Sequence, residues 1–193
     1  MLRCAKPQAK NVCEFEKTMS LTEVCSKIEL ILSDVDGVMS DGGIQIVDDG
    51  QQIMKFHIRD GMGVRLWRET GRRFGIVTGR KLESIRRRAA DLWLDIVRLG
   101  IDDKLPEVDA LAAEFGLTRD QVCYIGDDLL DLATIKAVGM GVAVADAVED
   151  VRRAATYVTS VRGGQGAVRE VVELILKNTG RWDDVLVRYG GVN

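Results

Sequence analysis

Apolar and polar positions along the chain change period many times. Short apolar runs of strand length occur at IELILS (28–33), RFGIVT (73–78), DIVRLG (95–100), QVCYIG (121–126), GVAVAD (141–146) and TYVTS (156–160). Between them, apolar residues recur every three or four positions. This predicts helices over 60–70, 81–92, 104–116, 129–139, 148–154 and 166–178, with a last short one near 181–188. The highly charged 81–92 segment, for example, sets Ile85, Ala89 and Leu92 on one face. Strands separated by helical crossovers predict an α/β fold, a parallel sheet with helices on both faces. One insertion breaks the alternation: GGIQIV (42–47) and QIMKFHI (52–58) flank DDGQ, where Asp49-Gly50 is a hairpin turn signal. Residues 1–26 are mixed in charge, contain Pro7 and hold no sustained period. They read as an N-terminal extension, with Met19 a candidate true start. Residues 27–180 read as one domain and 181–193 as a C-terminal tail.

Composition narrows the class. A chain of 193 residues is the length of one domain and can bury a core without disulfides. With 46% apolar and 30% charged residues, it is excluded from the disordered, collagenous and coiled-coil classes. A net charge of −3 argues against a dedicated nucleic-acid binder, yet leaves room for a local anion site. No run of 18 apolar residues predicts a membrane span, and the N-terminus lacks a signal-peptide core. Cys4, Cys13, Cys25 and Cys123 fit neither a zinc site nor a disulfide scaffold and suggest reduced thiols in the cytoplasm. The single histidine, His57, rules out mechanisms that need two.

The chemistry-bearing residues sit where strands end. Asp34-Val35-Asp36-Gly37 follows the first strand and Gly126-Asp127-Asp128 ends a later one, with Asp131 one turn on. In an open parallel sheet, ligands bind beyond the carboxyl ends of the strands. Carboxylates converging there repel one another unless a cation offsets them, and a set of hard oxygens suits Mg²⁺. Thr78 with Gly79 ends the strand at 73–78, and Lys104 opens the helix after 95–100. A hydroxyl, a backbone N–H and a fixed positive charge can hold the oxygens of a transferring phosphoryl group. Asp34 is then the candidate nucleophile, and Asp36 the acid that protonates the leaving oxygen and afterwards the base that activates water. Taken singly, each part has an ordinary explanation. Asp-x-Asp is common, Gly-Asp-Asp can be a helix cap, Thr-Gly a turn and a lysine a solvated surface charge. Their ordered placement at separate strand ends carries the signal.

With these motifs in place, the sequence resembles the haloacid dehalogenase superfamily of phosphatases. LSDVDGVMSDG corresponds to its first motif, VTGR to the second, Lys104 to the third and YIGDDLLD to the fourth. The resemblance covers nearly all of 28–178 and implies a Rossmann-like core. Only 44 positions separate Asp34 from Thr78 and 26 separate Thr78 from Lys104, too few for the usual cap domain. A capless core with a hairpin flap at 42–58, together with FHIRDGMGVR, TGRK and RGGQGAVRE, is similar to the 3-deoxy-D-manno-octulosonate (KDO) 8-phosphate phosphatases. That resemblance implies a Mg²⁺-dependent tetramer acting on a sugar-acid phosphate in lipopolysaccharide synthesis. It implies Asp34, Asp36 and Asp127 as metal ligands, the main-chain carbonyl of Asp36 included, and Asp128 and Asp131 as residues that orient metal waters and Lys104. Arg59, Gly79 and Arg80 are the substrate-binding candidates, since a guanidinium fork fits a carboxylate. Arg80 favours the eight-carbon sugar acid over the nine-carbon KDN 9-phosphate, whose phosphatases carry Glu after Thr-Gly. Gly163, Gly164 and Gly166 precede a helix and serve either an anion or a turn. Other readings are a phosphatase for KDN 9-phosphate or for a broad range of sugar phosphates, a receiver-like signalling module and a non-catalytic assembly module. The acidic cluster after both Thr78 and Lys104 disagrees with a receiver's order.

Overall fold

The computed structural model describes residues 19–191. Six strands form one wholly parallel sheet: β1 (Leu30–Ser33), β4 (Arg73–Thr78), β5 (Ile96–Leu99), β6 (Val122–Gly126), β7 (Met140–Ala143) and β8 (Tyr157–Val158). Their spatial order is β5-β4-β1-β6-β7-β8. The central strands are buried along nearly their whole length, which is why they appear in the sequence as continuous apolar runs rather than alternations.

The remaining elements are α1 (Leu21–Lys27), a small hairpin of β2 (Gln45–Ile46) and β3 (Gln52–Ile53), α2 (Ile58–Arg68), α3 (Glu83–Asp91), α4 (Lys104–Glu114), α5 (Leu129–Ala137), α6 (Glu149–Ala154), α7 (Ala167–Asn178) and α8 (Trp182–Arg188). α1, α2 and α7 pack together as one layer, and α4, α5 and α6 as the other. The chain runs outward from β1 through β4 to β5, then returns to β6 beside β1 and runs the other way. The strand order therefore switches at β1, and the carboxyl ends of β4, β1 and β6 lie side by side. In register, Ser33 pairs with Ile76 of β4 and Ile125 of β6. Asp34 leaves the sheet at its centre, with its N–H still donating to the Ile125 carbonyl at 2.9 Å.

Three expectations change. Residues 1–18 lie outside the described residues, but 20–27 belong to the fold instead of an extension. Ser20 closes a capping box with Glu23, Cys25 is buried, and Thr22 bonds Asn178 of α7 at 2.8 Å. A seven-residue helix is too short to display a period. The hairpin is also much shorter than 42–58: each strand pairs over two residues. The apolar alternation at 54–57 misled because Met54 and Phe56 turn inward onto the core without strand pairing. Helix α2 starts at Ile58 because the His57 ring nitrogen Nδ1 accepts from the Arg59 N–H at 3.3 Å. The segment at 181–188 is helical, and its Arg188 bridges Glu69 at 2.8 Å.

Candidate active site

Lys104 is the pivot of the carboxylate cluster. It opens α4, is only 2% exposed, and its Nζ lies 2.7 Å from Asp34 Oδ2 and 2.7 Å from Asp131 Oδ1. Two buried carboxylates on one ammonium bring three elements together at the switch in strand order. Burial opposes the lysine's charge, but the Asp34 and Asp131 carboxylates outweigh it and hold the ammonium above its ordinary range.

Asp131 is fully engaged. Oδ1 also accepts from the Tyr124 hydroxyl at 2.7 Å, and Oδ2 accepts from the N–H groups of Asp127 at 2.9 Å and Asp128 at 3.3 Å. It therefore fixes the β6–α5 turn and aims Lys104 at Asp34. Asp128 caps α5, its Oδ1 accepting from Leu129 N–H at 2.7 Å. Glycines make this crowding possible. Gly37 has φ +75°, and a Cβ there would collide with the Asp127 carboxylate. The 163–166 segment presses its backbone on the Asp34–Gly37 loop, where Gly164 N–H donates to Val38 O at 2.8 Å. These glycines thus serve close approach and turning.

Asp34 Oδ1 accepts from Val35 N–H at 2.6 Å. Thr78, buried, lies one position beyond the level of Asp34 on the neighbouring strand and accepts from Arg80 N–H at 3.2 Å. Arg80 reaches across to Gln52 Oε1 at 2.5 Å and so ties the hairpin to the Thr78–Gly79 loop. Arg59 is exposed in the first turn of α2, and no contact brings it to the carboxylates.

The cluster fits a hard divalent cation. One carboxylate oxygen each of Asp34, Asp127 and Asp131 lie within 4.8 Å of one another. Among the described residues Asp127 Oδ1 is buried without a hydrogen-bond partner, as an oxygen kept for a cation would be, and Asp36 Oδ2 is likewise buried and unpartnered. Asp131 has its oxygens already bonded to four donors, which leaves Asp127 freer than Asp131 to ligate a cation.

Without a cation this cluster is strained by like charge. Burial, together with Asp131, pushes Asp34 up to about 6 against the pull of Lys104. Burial and the neighbouring Asp34, Asp131 and Asp128 push Asp127 up to about 7. A carboxylate whose folded value exceeds its unfolded one favours folding by taking up a proton. The metal-free protein should therefore become more stable as pH falls from about 8 toward 5. Below that, Glu170, Glu173 and Asp109, held low in the fold by their partners, lose their contributions. About 1 kcal/mol moves the melting temperature of a domain this size by ~2–4 °C. Melting curves with EDTA across this range should show the rise, and saturating Mg²⁺ should flatten it. A melting temperature in EDTA that falls steadily over the same interval would contradict the cluster's electrostatics.

Two buried residues of this region were not legible in the sequence. Tyr124, on a strand, gave no sign that its hydroxyl holds Asp131. Asp60, in α2, accepts from Arg169 N–H at 3.0 Å and so caps α7, whose own cap residue is Gly166. Only the Arg-Asp-Gly run at a helix start could have hinted at a carboxylate needed elsewhere.

A sheet switching order at β1, with two acidic loops, a threonine and a buried lysine at its carboxyl edge, defines a haloacid dehalogenase-like hydrolase, and the sequence model of that family matches residues 88–171. The 3-deoxy-D-manno-octulosonate 8-phosphate phosphatase of Yersinia pestis is 42% identical over 78% of this chain and 81% of its own. The Escherichia coli K12 enzyme of that name is 39% identical over 81% and 84%. Among solved structures, that of the Moraxella catarrhalis phosphatase in complex with magnesium, phosphate and KDO has a TM-score of 0.84 and 36% identity, covering 88% of this chain and 99% of that one. The chain belongs to this family of phosphatases.

Proposed function

We propose that the protein is a Mg²⁺-dependent phosphatase that releases phosphate from 3-deoxy-D-manno-octulosonate 8-phosphate through an aspartyl-phosphate on Asp34. The observation that carries it is Lys104, held between Asp34 and Asp131 at the carboxyl edge of the sheet. The relatives' shared substrate supplies the specificity. A cation held by Asp34, Asp36 and Asp127 would neutralise the phosphate and the carboxylates, so that both can approach.

The chain's own residues then divide the work. Asp34 attacks phosphorus through a carboxylate oxygen while the bond to the sugar oxygen breaks. Asp36 gives its proton to that oxygen, and the sugar acid leaves. Asp36 next takes a proton from water as the water attacks the phosphoenzyme, which frees Asp34 and inorganic phosphate. The Thr78 hydroxyl, the Gly79 N–H and Lys104 hold the phosphoryl oxygens. Arg59 and Arg80 meet the sugar acid. Arg80 is the better supported of the two, since its side chain donates to Gln52 of the hairpin.

Phosphate release from a panel including KDO 8-phosphate and KDN 9-phosphate, with Mg²⁺ and with EDTA, tests this reading. Strong Mg²⁺-dependent preference for KDO 8-phosphate is expected. Equal weak turnover of the whole panel would overturn the substrate, and a stable phosphoprotein without turnover would overturn the reaction. Arg80→Ala should raise KM for the sugar acid by about 10–100-fold, the worth of a charge-assisted hydrogen bond. It should leave p-nitrophenyl phosphate, which has no carboxylate, near wild type. Equal losses on both substrates would remove Arg80 from carboxylate recognition.

We further propose a homotetramer, working in the cytoplasm, in which each hairpin covers a neighbour's site. Ile44, Ile46 and Ile53 of the hairpin stand exposed. The described cysteines, Cys25 and Cys123, are free and buried, as suits a reducing compartment. Ile46→Lys should lower the mass measured by light scattering, and an unchanged mass would exclude the hairpin from the interface.

A further inference from the structure

Away from the carboxylates, residues of α2, α3 and the first residues of β4 and β5 line a cavity of about 1010 Å³, crossed by Arg68, which donates to the Leu92 carbonyl at 3.1 Å. Its walls join apolar and aromatic surface from Met62, Phe74, Leu92 and Phe115 to several guanidinium groups. Three of its arginines have acidic partners: Arg65 with Glu69, Arg68 with Asp95, and Arg72 with Glu29. Arg73 and Arg88 have none among the described residues. Arg73 lies over the Phe115 ring, its Cζ 4.5 Å from the ring centre. Arg88 is half-buried, and its Nε is buried with no hydrogen-bond partner among the described residues. Gly61 makes room for it, since a Cβ there would stand 2.6 Å from the guanidinium.

The rim carries a second anomaly. Helix α3 ends in a Schellman turn: Trp93 N–H donates to Ala90 O at 2.9 Å and Leu94 N–H to Ala89 O at 3.0 Å. The residue after the cap in such a turn is ordinarily glycine, because its φ is positive. Here it is Trp93, at φ 51°, the only non-glycine residue with positive φ among those described. Its indole is not anchored in the core; the residue is 72% exposed beside the cavity. The largest side chain thus occupies the position where the backbone favours none, without gaining burial.

We propose that this cavity binds a small planar anion, an aromatic body carrying one acidic group, with the ring against Trp93 and the acid toward Arg73 and Arg88. The remaining charges fit a single acidic group. Glu69 is neutralised by Arg65 and Arg188, and Asp95 is reached by Arg68 at 3.8 Å, but Asp91 at the α3 edge is exposed and would repel a polyanion. The cavity also touches the candidate active site's surroundings. Arg88 donates to the His57 carbonyl at 3.5 Å, at the cap of the helix that carries Arg59. This inference does not depend on which phosphomonoester the enzyme hydrolyses.

The probe is 1-anilinonaphthalene-8-sulfonate, an aromatic monoanion with a planar naphthalene ring, titrated by fluorescence into the full-length, Mg²⁺-loaded protein. Saturable binding at one site per chain, indifferent to saturating inorganic phosphate, is expected. Arg73→Met and Arg88→Met should each weaken it about tenfold, the worth of a charged hydrogen bond. Trp93→Gly is the decisive variant. It should weaken binding to a similar degree while keeping or raising the melting temperature, because glycine suits the turn. A tryptophan kept for packing would instead lower it. The proposal is overturned by absence of saturable binding, by unchanged affinity in the three variants, or by displacement with phosphate. It is equally overturned if Trp93→Gly dissociates an oligomer in sedimentation, since a second copy would then be the occupant.

Discussion

Asp34→Asn is expected to abolish turnover, by about four orders of magnitude or more, in a protein that remains folded. An amide nitrogen or oxygen cannot replace the carboxylate as nucleophile, and loss of a covalent nucleophile has cost about 10⁶ in other enzymes. Phosphate-monoester hydrolysis is so slow without a catalyst that no background rescues the variant. The fold should not suffer in the metal-free state. Asp34 is pushed up to about 6 by burial and by Asp131, so removing its charge relieves repulsion on Asp131 and Asp127 even as it releases Lys104 from one partner. The rise in stability on acidification in EDTA should accordingly be smaller in the variant than in the wild type. Phosphate release and a melting curve on the same preparation decide the matter. Turnover within about tenfold of wild type by a folded Asp34→Asn variant would remove Asp34 from the chemistry, and an unfolded one would show that its charge serves the fold.

The candidate cluster is legible because its parts lie at strand ends, where the pattern of apolar runs is clearest. Asp34 and Asp127 follow buried runs, Thr78 closes one and Lys104 opens the helix after β5; the chain visits these strands as β1, β4, β5 and β6, and the sheet sets them side by side as β5-β4-β1-β6. What stayed hidden depends on contacts between distant segments. Asp60 caps a helix more than a hundred residues away, and nothing near it in sequence shows that α7 lacks a cap of its own. Tyr124 reads as an ordinary strand residue until Asp131 turns toward it. The hairpin was overextended because Met54 and Phe56 alternate like strand residues although they pack as coil. Arg59 and Arg80 looked equivalent in the sequence. The structure separates them, since only Arg80 is tied to the hairpin beside Thr78.

Lys104→Met tests the other half of the design, and its effect should fall on stability as well as on rate. Methionine matches the lysine stem but leaves Asp34 and Asp131 facing each other in a buried site without their shared cation. Breaking a buried ion pair by removing one partner costs about 3–5 kcal/mol, chiefly the penalty of the charge left behind. Asp131 is the more exposed to this loss, being 1% accessible, although Tyr124 and two backbone N–H groups still hold it. Two signatures distinguish the loss of charge from a mere packing defect. Acidification should restore part of the stability, because protonating either carboxylate removes the repulsion; a cavity would not respond to pH. Asp34→Asn added to Lys104→Met should likewise recover stability, giving a favourable coupling in a double-mutant cycle. Turnover should fall by orders of magnitude in both proteins, since the proposed mechanism also has Lys104 offset charge on the transferring phosphoryl group. A Lys104→Met variant as stable as wild type at about pH 8, with strictly additive behaviour in the cycle, would show that the contacts at 2.7 Å contribute no net attraction.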